Sequence, residues 1–148
     1  MDVSDEPQGW TPLAWATYYA TNDEKSENFK VLELLLSKGA DINKPLKNYS
    51  LLDIAVTNSR SPTKVKAIQF LLDHKADPNS VACLGKFCHT PLMNAAKSGN
   101  IAAVRALIKA KADVNYRKPG GDRSSALQFA EEYKHPEIAK ILRDAGAR

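Results

Sequence analysis

The sequence predicts an all-α solenoid of stacked helix-turn-helix units with short hairpin-like loops. Three observations predict it. A turn string recurs as Gly39-Ala40-Asp41-Ile42-Asn43, Lys75-Ala76-Asp77-Pro78-Asn79 and Lys111-Ala112-Asp113-Val114-Asn115, its aspartates 36 and 36 residues apart. An apolar helical pattern precedes each copy, starting at Val31, Ala67 and Ala103, so helix and turn repeat together. A second string, a hydroxyl residue followed two positions later by leucine, recurs as Thr11-Pro12-Leu13, Ser50-Leu51-Leu52, Thr90-Pro91-Leu92 and Ser125-Ala126-Leu127.

Each unit can be justified element by element. The hydroxyl opens a first helix, because Ser or Thr at an N-cap satisfies a backbone N–H that the helix leaves free, and Pro fits the first turn. An alanine follows each leucine by three positions, at Ala16, Ala55, Ala95 and Ala130, where a small side chain lets paired helices approach. The second helix then brings apolar residues at helical spacing. The Asp-x-Asn turn closes the unit. One such unit cannot bury its own apolar face, so its neighbours must. Leu13, Leu52, Leu92 and Leu127 are expected to form one core row, and Leu35, Leu71, Leu107 and Ile141 another.

These strings resemble the ankyrin repeat, whose pattern is T-P-L-H-x-A-A with a later G-A-D-V-N at a period near 33 residues. The third unit matches best, from Thr90-Pro91-Leu92-Met93-Asn94-Ala95-Ala96 on to Ala112-Asp113-Val114-Asn115 without insertion. The resemblance covers a single domain over residues 1–148, in repeats of approximately 6–44, 45–80, 86–117 and 121–148. It implies an ankyrin-repeat solenoid.

The departures from the pattern are informative. Extra residues fall around Ala20 to Asn28, Ser59 to Lys64, Val81 to Phe87 and Pro119 to Asp122, and a shared core with no spare volume predicts that they go outward into loops. The family places Gly before the Ala-Asp pair, where the helix ends in a left-handed residue. Gly39 and Gly146 fit; Lys75 and Lys111 do not, at a cost of up to about 1 kcal/mol each. Asp2-Val3-Ser4 aligns with Asp41-Ile42-Asn43, and Gly146-Ala147-Arg148 stops where the next Asp would stand. That matched phase suits either a small protein or a domain of a longer chain.

Composition sets the class. At 148 residues, 43% hydrophobic and 26% charged, the chain has the composition of an ordered globular domain. No apolar run approaches the roughly 20 residues of a membrane helix, and the acidic start Met1-Asp2-Val3-Ser4-Asp5-Glu6 is not a secretory signal. Two cysteines, Cys83 and Cys88, are too few for a disulfide framework, so a reducing, cytoplasmic setting is the default, with the nucleus or a host-cell cytosol as alternatives. A disulfide across that hairpin is geometrically possible but is not expected there. The net charge of +4 divides into −2 over residues 1–74 and +6 over residues 75–148.

The resemblance also implies where a partner would lie, since ankyrin arrays usually hold theirs against hairpin tips and first helices. Carried onto this chain, those surface positions are Pro7, Gln8, Trp10, Tyr18 and Tyr19; Leu46, Lys47, Tyr49, Thr57 and Asn58; Lys86, Phe87, His89, Lys97 and Ser98; Gly121, Asp122, Ser124, Glu132 and Tyr133. Six of the twenty are aromatic, against five in the other 128 residues. Because aromatic side chains dominate interface energetics, this enrichment selects Trp10, Tyr18, Tyr19, Tyr49, Phe87, His89, Lys97 and Tyr133 as candidate partner-binding residues.

Catalytic and metal chemistry find little support. Cys83 and Cys88 flank four residues with His89 adjacent, but four zinc ligands are not assembled and no base–orienter pair is evident. Pro119-Gly120-Gly121-Asp122 lacks the Lys-Ser/Thr of a phosphate loop, and Asn22 to Glu27 lacks calcium-loop spacing. The expectation is therefore a non-catalytic module, monomeric by itself, that binds another protein and needs no cofactor, metal or membrane. Two alternatives stand beside it: a recognition domain within a larger enzyme or effector, and a basic nucleic-acid surface. The basic residues lack the interleaved aromatics that single-strand binding needs, which argues against the second.

Overall fold

The computed structural model describes residues 9–22, 26–58, 65–84, 87–117 and 124–148. Within them the order is α1 (Pro12–Asn22), α2 (Ser26–Ser37), α3 (Leu51–Asn58), α4 (Lys66–Asp73), β1 (Ala82–Leu84), β2 (Phe87–His89), α5 (Pro91–Ser98), α6 (Ile101–Lys109), α7 (Ala126–Glu132) and α8 (Pro136–Asp144). The odd-numbered helices form one layer, α1 on α3 on α5 on α7, and α4, α6 and α8 stack as a second layer. That is the predicted solenoid. No described helix is long and apolar enough to cross a membrane.

The repeated strings do the local work expected of them. The hydroxyls of Thr11, Ser50, Thr90 and Ser125 accept the N–H three residues on, at 3.1 to 3.3 Å. At Ser125 the side chain of Gln128 accepts the N–H of Ser125 in return, completing a capping box. Each second helix ends in a left-handed residue: Gly39, Lys75, Lys111 and Gly146, with φ of 85°, 70°, 68° and 95°. Lysine therefore does occupy a conformation that glycine adopts freely.

The Asp and Asn of each turn have separate jobs. The carboxylates of Asp41, Asp77 and Asp113 accept the N–H two residues later at 2.9 Å, rigidifying the turn from within. The asparagine amide then crosses to the next repeat. Asn43 donates to the Lys75 carbonyl and accepts from the Asp77 N–H. Asn79 does the same with Lys111 and Asp113, and Asn115 with Gly146 and Arg148. A ladder of side-chain amides thus ties each left-handed turn to its neighbour.

Burial follows the predicted rows with three corrections, one being Leu35, which is only partly buried. Leu13, Leu52 and Leu92 are buried, whereas Leu127 in the last repeat is only partly so. In the second row the fourth member is Leu142, not Ile141. The N–H just before each Asp position fixes this register: Ala40, Ala76, Ala112 and Ala147 donate to the carbonyls of Leu35, Leu71, Leu107 and Leu142. Each of these leucines stands four residues before the left-handed Gly39, Lys75, Lys111 or Gly146, an offset that Ile141 misses by one.

Two further expectations change. The extra residues of the first repeat do not all loop out. Ala20, Thr21 and Asn22 extend α1 to 11 residues, and Ala20 and Thr21 are buried. Thr17 and Thr21 are accommodated by donating to the carbonyls of Leu13 and Thr17, four residues back. Leu46, expected on the surface, is buried. The insertions at Ser59–Lys64 and Pro119–Asp122 lie outside the described residues, as do Pro7, Gln8, Lys86, Gly121 and Asp122.

Candidate functional site

The candidate residues sort into two aromatic groups, each organised by a residue that the sequence reading missed. In the first repeat Trp15 is the centre. Its ring lies 4.8 Å from Trp10, 6.2 Å from Tyr18 and 6.4 Å from Tyr19, and Tyr18 and Tyr19 meet edge-on at 5.6 Å. Trp10 and Tyr18 are half-buried against the core, while Tyr19 is 58% exposed. Part of this group therefore stabilises the first repeat, and its outer edge offers an apolar, rigid surface.

The second group spans repeats three and four around Phe129. His89 packs edge-on against that ring at 5.1 Å, and Tyr133 lies 6.3 Å from it, one helical turn along α7. The Lys97 ammonium sits 5.8 Å above Phe129 and 5.3 Å above Tyr133, close enough for attraction to both ring faces. Three candidates named separately from the sequence, His89, Lys97 and Tyr133, thus meet on one buried ring. A signal for the missing centres was present. Trp15 and Phe129 occupy the same position of the cap string, four residues before Tyr19 and Tyr133.

Tyr49 and Phe87 are exposed and lie in neither group. Tyr49 lines a cleft of about 230 Å³ between successive turns, with Pro45, Leu46 and Val81 on its walls. Phe87 stands on the β1–β2 hairpin.

That hairpin overturns the expectation for the cysteines. Ala82 faces His89, Cys83 faces Cys88 and Leu84 faces Phe87, and Cys83 and Cys88 form a disulfide with Cα atoms 4.0 Å apart. Direct cross-strand opposition of Cys83 and Cys88 puts their sulfur atoms within bonding reach. The counting argument from cysteine number missed it because it ignored this register. Cys83 is exposed and Cys88 is buried.

Beneath the hairpin lies an ionisable group that was not anticipated. Asp53 stands where the family pattern has histidine and is fully buried on α3. One carboxylate oxygen accepts from the Ser50 N–H at 2.9 Å and hydroxyl at 2.7 Å; the other accepts from the Asn94 amide at 2.8 Å. Burial raises its pKa above the usual aspartate value, and these bonds and the charge of nearby His89 pull it partly back. The carboxylate joins repeats two and three. Its oxygens are occupied by cap and neighbour, which is a structural assignment rather than that of an acid or base facing substrate.

Four of the thirteen basic residues of 75–148 have polar partners within the molecule. Arg117 donates to Gln128 and to the Arg148 carbonyl, Arg105 lies 3.8 Å from Glu137, and Arg143 and Lys140 pair with Glu131 and Asp144. Among the described residues no group of three or more His, Cys, Asp or Glu is placed to hold a metal ion.

Comparison with known proteins agrees with this architecture. The family described as ankyrin repeats (3 copies) matches residues 52–148, and the single ankyrin repeat matches residues 8–46. The chain is 34% identical over 97 residues to the ankyrin repeat, SAM and basic leucine zipper domain-containing protein 1 of Notamacropus eugenii, covering 65% of this chain and 18% of that protein. The same protein of Dasypus novemcinctus is 33% identical over 101 residues, 68% of this chain and 19% of its own length. The ankyrin repeat and KH domain-containing protein mask-1 of Caenorhabditis elegans is 27% identical over 148 residues, 99% of this chain and 5% of that protein. The chain thus spans less than a fifth of the length of these relatives. With the family matched over most of its length and the stacked architecture in place, the chain belongs to the ankyrin repeat family.

Proposed function

We propose that this chain is a non-catalytic protein-binding module whose partner lies across the hairpin tips and first helices. Ankyrin repeats are general protein–protein interaction modules, and the finer assignment rests on one observation. Tyr19, Tyr49, Phe87 and Tyr133 are all substantially exposed at those positions of the stack, where the fold itself does not need large apolar side chains. The half-buried Trp10 and Tyr18 support the first of these, and His89 and Lys97 support the last. Aromatics held by neighbours lose little rotamer freedom on binding, which favours affinity.

The test is substitution of Tyr19, Tyr49, Phe87 and Tyr133 by Ala, singly and together. Circular dichroism and melting temperature should stay close to those of the parent, because the replaced side chains are exposed. Capture of a partner that the parent retains should fall at least tenfold for the combined variant. Unchanged capture by a folded variant removes this surface from the proposal.

A second reading, a recognition segment serving a larger protein, is favoured by the small share of each relative that this chain spans. It uses the same surface, and the same substitutions test it. Nucleic-acid binding is not favoured, since Arg105, Arg117, Lys140 and Arg143 are engaged within the molecule.

A further inference from the structure

Repeat positions that are buried in three of the units are open in the first. Val31 is 48% exposed, whereas its equivalents Ala67, Ala103 and Ile138 are at most 2% exposed. Leu34 is 57% exposed, whereas Phe70, Ala106 and Ile141 are partly buried. Stacking against a preceding repeat is what buries those positions elsewhere, so this face of α2 continues an interface that the array uses three times over. Within the described residues this face of α2 has an apolar centre.

The residues around that centre give it direction. Glu27, Val31, Leu34 and Lys38 are all exposed, and their spacing of four, three and four residues places them in one straight stripe along the helix. An acidic group closes one end and a basic group the other. Such a stripe is complementary to itself when turned by 180°: Val31 meets Leu34 of a second copy, and Glu27 meets Lys38 of that copy, at both ends at once. We propose that α2 is an isologous self-association surface, two chains pairing their α2 helices antiparallel through Glu27, Val31, Leu34 and Lys38.

Other coverings fit less well. The other end of the array carries Gln128, Glu131, Lys140, Arg143 and Asp144, all exposed, so a head-to-tail contact would set charge against the apolar centre. The surface is distinct from the aromatic one proposed above, and a monomer, expected from the sequence, is what this inference replaces.

Sedimentation equilibrium of the 148-residue chain tests it, over about 1 to 500 µM and at about 50 mM salt so that ion pairs remain visible. A concentration-dependent dimer is expected. Val31→Ser with Leu34→Ser should weaken association at least tenfold with unchanged helix content, both positions being exposed. Glu27→Lys and Lys38→Glu should each weaken it by about three- to tenfold. The double exchange should restore it, and an equimolar mixture of the two single variants should form heterodimers better than either forms homodimers. A monomer at every concentration overturns the proposal, whether Met1–Gln8 or a further repeat covers the face. So does a dimer indifferent to Val31 and Leu34, or a double exchange no better than the single ones.

Discussion

Repeat one and the joint between repeats two and three use their surfaces differently. In the first repeat Tyr19, Val31 and Leu34 are exposed by 58%, 48% and 57%. At the middle joint the same kind of helix pair is sealed by polar bonds that reach across repeats: Asp53 to Asn94, and Asn79 to the turn at Lys111–Asp113. The difference teaches that the period dictates the joint and leaves the outer faces free. Where one described repeat stacks on another, apolar volume and amide ladders are required; an exposed apolar side chain remains available for recognition.

The largest contrast should appear between a buried and an exposed leucine of the second helices. Leu107 is fully buried and Leu34 is not. Leu107→Ala should cost about 3 kcal/mol of unfolding free energy, from lost transfer energy plus a cavity, and Leu34→Ala less than about 0.5 kcal/mol. Urea denaturation of the two variants measures this. Equal losses would show that the first repeat is covered as the middle one is.

Asp53 should come next. Asp53→Ala removes the return bond of the α3 capping box and leaves the Ser50 N–H and the Asn94 amide without their acceptor, a loss of about 2–3 kcal/mol. Asp53→Asn keeps an acceptor and should cost much less. The pH dependence has a definite sign. Because burial raises the folded-state pKa, the folded protein holds the proton more tightly than the unfolded chain between the two values. This group's contribution therefore falls as pH rises through that window and is recovered on acidification. Comparing parent and Asp53→Asn by denaturation across pH 4 to 7 isolates it as about the difference of two slopes.

The amide ladder predicts a smaller effect. Asn79→Ala removes one donor and one acceptor bond to the next turn, worth about 1 kcal/mol at this exposed site. Faster amide exchange at Asp113 would report the loss locally. Smallest, and opposite in sign, is Lys111→Gly. It relieves a non-glycine residue at φ 68° and should raise stability by a few tenths to about 1 kcal/mol. A lower melting temperature for that variant would contradict the assigned turn.

Much of the fold was legible because each recurring residue has a local physical task. The hydroxyl caps at Thr11, Ser50, Thr90 and Ser125, the left-handed positions, and the leucine rows all follow from helix ends and stacking. The exceptions are where phase or pairing outranks pattern. A one-residue shift moved the core position from Ile141 to Leu142, and α1 absorbed part of an insertion because Ala20 and Thr21 could be buried. The Cys83–Cys88 bond depends on strand register, which composition does not carry. For the candidate site, the sequence carried a list of residues and not their geometry. Tyr19, Tyr49, Phe87 and Tyr133 are exposed as expected, but Trp15 and Phe129, which gather the candidates into two groups, look in the sequence like ordinary core residues.

The central claim is that recognition belongs to the hairpin tips and first helices. Amide hydrogen exchange of the chain with and without its bound partner tests it most directly. The account predicts slowed exchange in α1, at Tyr49, in β2 and in α5 and α7, with α4, α6 and α8 unchanged. Protection confined to α4, α6 and α8 would contradict it.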